Sequence, residues 1–291
     1  LLISVNTIKR GKAPGPFADS QEVLKWWALT KQDNHSYPNI IKLSQLIQII
    51  MTDTFPTELQ NLFSSNILIC LHKSETDPTK LRPIGLGLIL RRFISSHIAR
   101  FYVDAFKSYL NPYQYGIGTR NGMEFIINSC TTSTQTYITR NPDDMQNNPP
   151  TRVLISLDLT NMFNACNRRH LLHIVRQRFP ELYPYFNLSY DNPNLIHFQK
   201  GLEGKWSRLL QQDGCTQGDP LGVFFAAAIF HDILSPLDSQ LRQRAHHRKH
   251  ILKDKYDDNQ GGLSDLTTWV DDLCAAIPYP DLKYTIQYLQ I

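Results

Sequence analysis

Three aspartates have the types and spacing to do chemistry. Two of them, Asp271 and Asp272, are adjacent in Trp269-Val270-Asp271-Asp272-Leu273. Apolar runs flank this stretch, 266–268 before it and Cys274-Ala275-Ala276-Ile277 after it. Two β-prone runs joined by Asp-Asp read as a β-hairpin with both carboxylates at its tip. Neighbouring carboxylates repel, so such a tip is poorly stable unless a cation sits on it. The plain alternative is a solvated turn, because Asp is common in turns. The third aspartate, Asp158, closes the strand-like run Arg152-Val153-Leu154-Ile155-Ser156-Leu157 and is followed by a helical pattern. An acid there is out of place in a core and suits a site at a strand terminus. Carboxylate oxygens are the ligands that a hard divalent cation takes.

Between the acidic elements lies Gly214-Cys215-Thr216-Gln217-Gly218-Asp219-Pro220-Leu221-Gly222. Upstream are LRPIGLG at 81–87 and GKAPGP at 11–16. Taken in order, SLDLTNMFNACNR, GCTQGDPLG and WVDDL resemble motifs A, B and C of a reverse transcriptase. The upstream pair extends the resemblance over most of the chain, and the wording looks closest to the non-LTR retrotransposon and group II intron branches. Phe17 stands where that pattern usually has Asp, and Trp269 departs from the residue often found before the acidic pair.

The resemblance implies an α+β fold. It would comprise a polymerase palm, an antiparallel sheet backed by helices, and a fingers subdomain, with the thumb absent or truncated. The expected division is fingers over 1–90, with 170–205 returning to them, and palm over 91–169 and 206–291. The implied activity is RNA-directed DNA synthesis in a retroelement protein, using an RNA or DNA template, a DNA primer and deoxynucleoside triphosphates. The implied cofactor is a pair of Mg²⁺ ions, with Mn²⁺ as substitute. Asp158 and Asp271 would bridge them, Asp272 would support them less directly, and the Leu159 carbonyl would add an oxygen. Lys73 and Arg82 on a fingers hairpin would grip the triphosphate, Arg through its planar fork. Gln217 and Gly218 would lie against the incoming nucleotide, where Gly permits close backbone approach. Phe163, five residues after Asp158, would block a ribose 2′-hydroxyl; otherwise it is a core aromatic. Two rivals are an RNA-directed RNA polymerase, which shares the palm, and a degenerate remnant that binds nucleic acid without catalysis.

The rest of the chain must position these residues. With 291 residues, 42% hydrophobic and 19% charged, it can build a globular core. Its net charge of +4 is a mild bias compatible with nucleic acid. Five widely spaced cysteines without a CxxC pair argue against a zinc site and a disulfide framework, and for a reducing, intracellular compartment, nuclear or cytoplasmic. No apolar run approaches the roughly 18 residues of a membrane span. Starting without Met and stopping inside a helical pattern, the sequence reads as a piece of a longer protein.

Helical spacing appears over 21–30 and 39–63, with Ile40, Leu43, Ile47 and Ile50 on one face. Residues 88–110 read as one long helix with Leu90, Ile94, Ile98, Phe101 and Phe106 as its apolar side. Arg91, Arg92 and Arg100 lie among them, free to reach a template backbone or solvent. Residues 180–205 read as an irregular hairpin. Asp219-Pro220 reads as a helix start. Residues 240–256 carry six basic side chains against Asp254, a net of +5. This is either a phosphate contact or a solvated insertion.

Overall fold

The structure, a computed structural model, describes residues 1–16, 19–32, 36–52, 55–138, 152–200, 204–247 and 265–289. Its strands are β1 (Asn66–His72), β2 (Leu81–Gly87), β3 (Arg152–Asp158), β4 (Asn194–Lys200), β5 (Lys205–Gln211), β6 (Asp265–Trp269) and β7 (Asp272–Pro278). They form two sheets, one in each of two compact units. The first unit comprises Leu1–Tyr102 and Asn161–Phe225, the second Val103–Thr160 and Ala226–Ile291.

The first unit holds a mixed sheet in the order β2-β1-β4-β5. β1 pairs antiparallel with β2 and parallel with β4, and β4 pairs antiparallel with β5. Helices accompany it, and two of them start on a side-chain cap. The Ser20 hydroxyl accepts from the Val23 N–H at the start of the helix Gln21–Ala28. Asn167 does the same for His170 at the helix Arg168–Arg178. The helix Pro38–Met51 buries Leu43 and Ile50.

Two expectations fail here for identifiable reasons. Residues 88–110 form two helices, Ile89–Phe101 and Val103–Leu110, which meet where the two units divide. Phe101 is 75% exposed rather than in the core. Residues 183–190 are a helix, not an irregular stretch. Pro184 occupies its first turn, where no amide partner is needed. Burial of Tyr185, Phe186, Leu188 and Tyr190 outweighs the weak helix propensity of aromatics.

The second unit holds a three-stranded antiparallel sheet in the order β3-β7-β6. The helix Gly122–Ile138 packs on all three strands. The helix Gly222–His247 spans the division between the units. Within the second unit it buries Phe230, Leu234, Leu237 and Leu241, an apolar stripe at helical spacing. Among the described residues no helix is long and apolar enough to cross a membrane.

Candidate active site

In the second unit the predicted hairpin forms around a two-residue turn, Val270-Asp271, between paired Trp269 and Asp272. β3 runs antiparallel to β7 so that Asp158 stands directly opposite Asp272. Cross-strand neighbours share a face of the sheet. The Leu159 N–H donates to the Asp271 carbonyl at 3.3 Å, tying the end of β3 to the turn. Asp158 and the Asp271-Asp272 pair, more than a hundred residues apart in the chain, thus gather at one end of one sheet. Asp158 and Asp272 are exposed and Asp271 is half-buried. None of the described ion pairs involves any of them. Partial desolvation, then the charges of Asp271 and Asp158, hold the Asp272 carboxyl above the ordinary aspartate value of 3.8.

Like charges directly opposite one another destabilise a sheet. The arrangement is therefore unfavourable by itself and suited to a cation. Among the described residues no three His, Cys, Asp or Glu side chains close into a metal-holding group. Asp158, Asp271 and Asp272 are the residues at this end of the sheet that could hold a hard divalent cation, whose ligands are oxygens.

The turn itself is strained. Val270 has φ +58°, a conformation rarely taken by a β-branched residue and worth about 1–3 kcal/mol of strain. Its peptide is held on both sides by Gln114, a residue not singled out from sequence. Gln114 Oε1 accepts from the Val270 N–H at 2.9 Å, and Nε2 donates to the Val270 carbonyl at 3.3 Å. Trp269 packs toward Gly122: a methyl group added there would lie 3.1 Å from the Trp269 ring and 2.1 Å from the Tyr115 carbonyl.

The remaining candidates belong to the first unit. Lys73 and Arg82 are exposed on the β1–β2 hairpin, where Arg82 sits opposite Leu71 and the Lys73 N–H donates to the Lys80 carbonyl at 2.8 Å. Lys80 makes a surface pair with Asp77 at 3.6 Å. The Gly85 N–H of β2 donates to the Gln217 carbonyl at 2.8 Å. Gly218 takes φ +121°, and a Cβ there would come within 2.6 Å of the Gly85 carbonyl. The motifs around 81–87 and 214–222 are therefore interlocked, and only glycine fits the contact. The Phe163 carbonyl accepts from the Cys215 N–H at 2.6 Å, and Gly214, at φ +79°, lies against the Asn164 backbone. The Phe163 side chain is half-buried.

Asp219 has a different fate. Its carboxylate accepts from Arg91 at 3.1 Å, from the Tyr190 hydroxyl at 2.8 Å and from the Leu221 N–H at 3.0 Å. Arg91 is 2% exposed, donates also to the Ser64 carbonyl at 3.2 Å, and lies over the Tyr190 ring at 5.1 Å. It is a core cation, not a template contact. Arg92 donates to the Ala13 carbonyl at 2.9 Å, and Arg100 to the Thr7 hydroxyl. Arg168, also buried, donates to the Gly214 carbonyl at 2.9 Å and to the Asn192 carbonyl at 3.1 Å, holding the 214–219 loop from below. Of the basic 240–256 segment, Arg242 pairs with Asp238 at 2.8 Å and Arg244 with Asp281 at 2.6 Å. Arg248, Lys249, Lys253 and Lys255 lie outside the described residues.

No protein-family model matches the sequence, and no curated protein matches it significantly. Solved structures do match. An apo telomerase from Candida tropicalis, truncated of its C-terminal domain, aligns with 93% of this chain and 56% of its own, at TM-score 0.52 and 11% identity. A telomerase from Candida albicans, in complex with a TWJ fragment of telomeric RNA, aligns with 92% of this chain and 48% of its own, at TM-score 0.51 and 9% identity. The chain spans about half the length of each. At such identity the likeness concerns the fold alone: mixed helix and sheet arranged as in these telomerases.

Proposed function

We propose that this chain is the RNA-directed DNA polymerase part of a retroelement protein, with motifs worded as in the non-LTR and group II intron branches. The observation that carries the reading is the carboxylate cluster, which no described ion pair involves: Asp158 opposite Asp272, with Asp271 in the strained turn beside them. In this reading the β3-β7-β6 sheet is the palm, and the β1–β2 hairpin belongs to the fingers. The shared fold with telomerases supports a nucleic-acid substrate.

Nucleotidyl transfer joins a primer 3′-hydroxyl to the α-phosphate of a deoxynucleoside triphosphate, releasing pyrophosphate. Two Mg²⁺ ions, or Mn²⁺, would stabilise the attacking and leaving oxygens when bound. Asp158 and Asp271 would hold them, with Asp272 and the Leu159 carbonyl in support. The chain's other contribution is positional. Arg82, with Lys73, would bind the triphosphate, and its exposure on a hairpin leaves the guanidinium able to do so. Gln217 and Gly218 would face the incoming nucleotide with a backbone held close to β2. Phe163 would occupy the volume that a 2′-hydroxyl needs.

The test is primer extension by the purified chain and by the longer protein, on RNA and DNA templates with deoxy- and ribonucleotides. Extension with deoxynucleotides on RNA, lost in Asp158→Asn, is the expected result. Extension with ribonucleotides alone, or nucleic-acid binding without extension in every form, would replace this reading by one of its rivals.

A further inference from the structure

We infer that Gln114 is the positioning residue of the acidic turn: its side-chain amide holds the Val270 peptide at positive φ and so sets where Asp271 presents its carboxylate. The inference rests on the polymerase reading above.

The geometry is specific. Gln114 is 2% exposed, and both the oxygen and the nitrogen of its amide bond to Val270. Oε1 accepts from two backbone amides, Val270 at 2.9 Å and Gly116 at 2.8 Å, while Nε2 donates to the Val270 carbonyl at 3.3 Å. Both hydrogen-bonding groups that flank Val270 are therefore satisfied by one side chain. Val270 needs such a hold, because a β-branched residue does not keep φ +58° by preference. Asp271 is the next residue, so the orientation of the Val270–Asp271 peptide directs its Cα.

Gln114 is itself fixed from both sides. The Tyr115 N–H donates to the Thr268 carbonyl at 2.9 Å, and the Thr268 N–H to the Tyr113 carbonyl at 2.7 Å, making a parallel bridge between Gln114 and β6. The Tyr113 hydroxyl donates to Asp238 at 3.0 Å. Gly116 is required by the same packing: a Cβ there would lie 2.9 Å from Gln114 Oε1 and 3.0 Å from Val270 Cγ2. Asn at 114 would be one methylene short of the turn. A hydrophobic residue would leave two backbone groups at the turn without partners.

The experiment is Mn²⁺ binding to the full chain, followed by the electron paramagnetic resonance of the free ion, alongside primer extension. Gln114→Met keeps the volume and removes all three hydrogen bonds. It is expected to weaken Mn²⁺ about 10–100-fold, the usual effect of losing a group that orients a metal ligand. Adding Val270→Gly to Gln114→Met should restore much of that loss, since glycine takes positive φ without a clamp. A purely stabilising role for Gln114 predicts instead a lower thermal stability in Gln114→Met with the Mn²⁺ affinity of the folded protein unchanged. Gly116→Ala, which displaces the amide without deleting it, should reproduce the loss in a second way. Wild-type Mn²⁺ affinity in both Gln114→Met and Gly116→Ala, or failure of Val270→Gly to rescue, overturns the inference. A wild type that binds no Mn²⁺ overturns the polymerase reading beneath it, a separately recognisable result.

Discussion

Asp219 and Asp271 stand in neighbouring motifs of the same sequence, and the fold treats them oppositely. Asp219 is buried, and its charge is met by Arg91, Tyr190 and a backbone amide. Asp271 sits half-exposed on a strained turn beside two further carboxylates, with no described ion pair. The same side chain is buried scaffold in one place and, in the other, lies outside every described ion pair. A carboxylate whose charge the fold has neutralised holds the loop together. One that no described ion pair meets is, in the proposed reading, left for a cation.

Each half of that contrast can be broken separately. Asp219→Ala would strand the Arg91 guanidinium in the core, and removing one partner of a buried pair costs about 3–5 kcal/mol. Urea unfolding should show that loss, with extension failing only because the protein unfolds. If Asp219→Ala unfolds like wild type, the buried network is not what holds the loop. Asp158→Asn and Asp271→Asn should do the reverse. Transition-state stabilisation should fall by about 3–4 kcal/mol, roughly a hundredfold to a thousandfold in rate, with thermal stability retained. Wild-type extension in either mutant would remove them from the chemistry.

Phe163 sharpens the comparison from the substrate side. Phe163→Val should narrow the preference for deoxy- over ribonucleotides by about 10–200-fold, the range that small changes of pocket volume produce. An unmoved ratio of the two incorporation efficiencies would make Phe163 a packing residue.

The smallest effect concerns Asp272 in the metal-free protein. Its folded pKa lies above the ordinary 3.8, so the native state holds that proton more tightly than the unfolded chain. The associated stability is present below 3.8 and is lost as pH rises through the raised value. Asp272→Asn should remove this slope and stabilise the metal-free protein at neutral pH by about 0.5 kcal/mol. The gain should shrink in high salt, because the site is exposed. A mutant less stable than wild type at neutral pH, in thermal melts without divalent ions, would show that the cluster is already compensated.

Much of this was legible in the sequence where the governing physics is local. Alternating and β-branched runs marked the strands ending at Asp158 and flanking Asp271. Gly with Pro marked the loops, while the caps Ser20 and Asn167 were not picked out from sequence. The long helix expected over 88–110 misled because periodicity continues through the break at Tyr102, where no Gly or Pro interrupts it. The helix at 183–190 was hidden because its aromatics are helical only once buried. Arg91 was read as reaching a template backbone or solvent because arginine is seldom buried, and its acid lies more than a hundred residues away.

The sequence by itself determined which residue types were available: three acids at the ends of β-prone runs, and glycines where the backbone must approach closely. Tertiary structure alone decided that Asp158 pairs with Asp272, that β1 lies parallel to β4, and that Gln114 holds the turn before Asp271. Strand register and buried polar pairing between distant segments are set by which surfaces leave water together. No window of neighbouring residues contains that information.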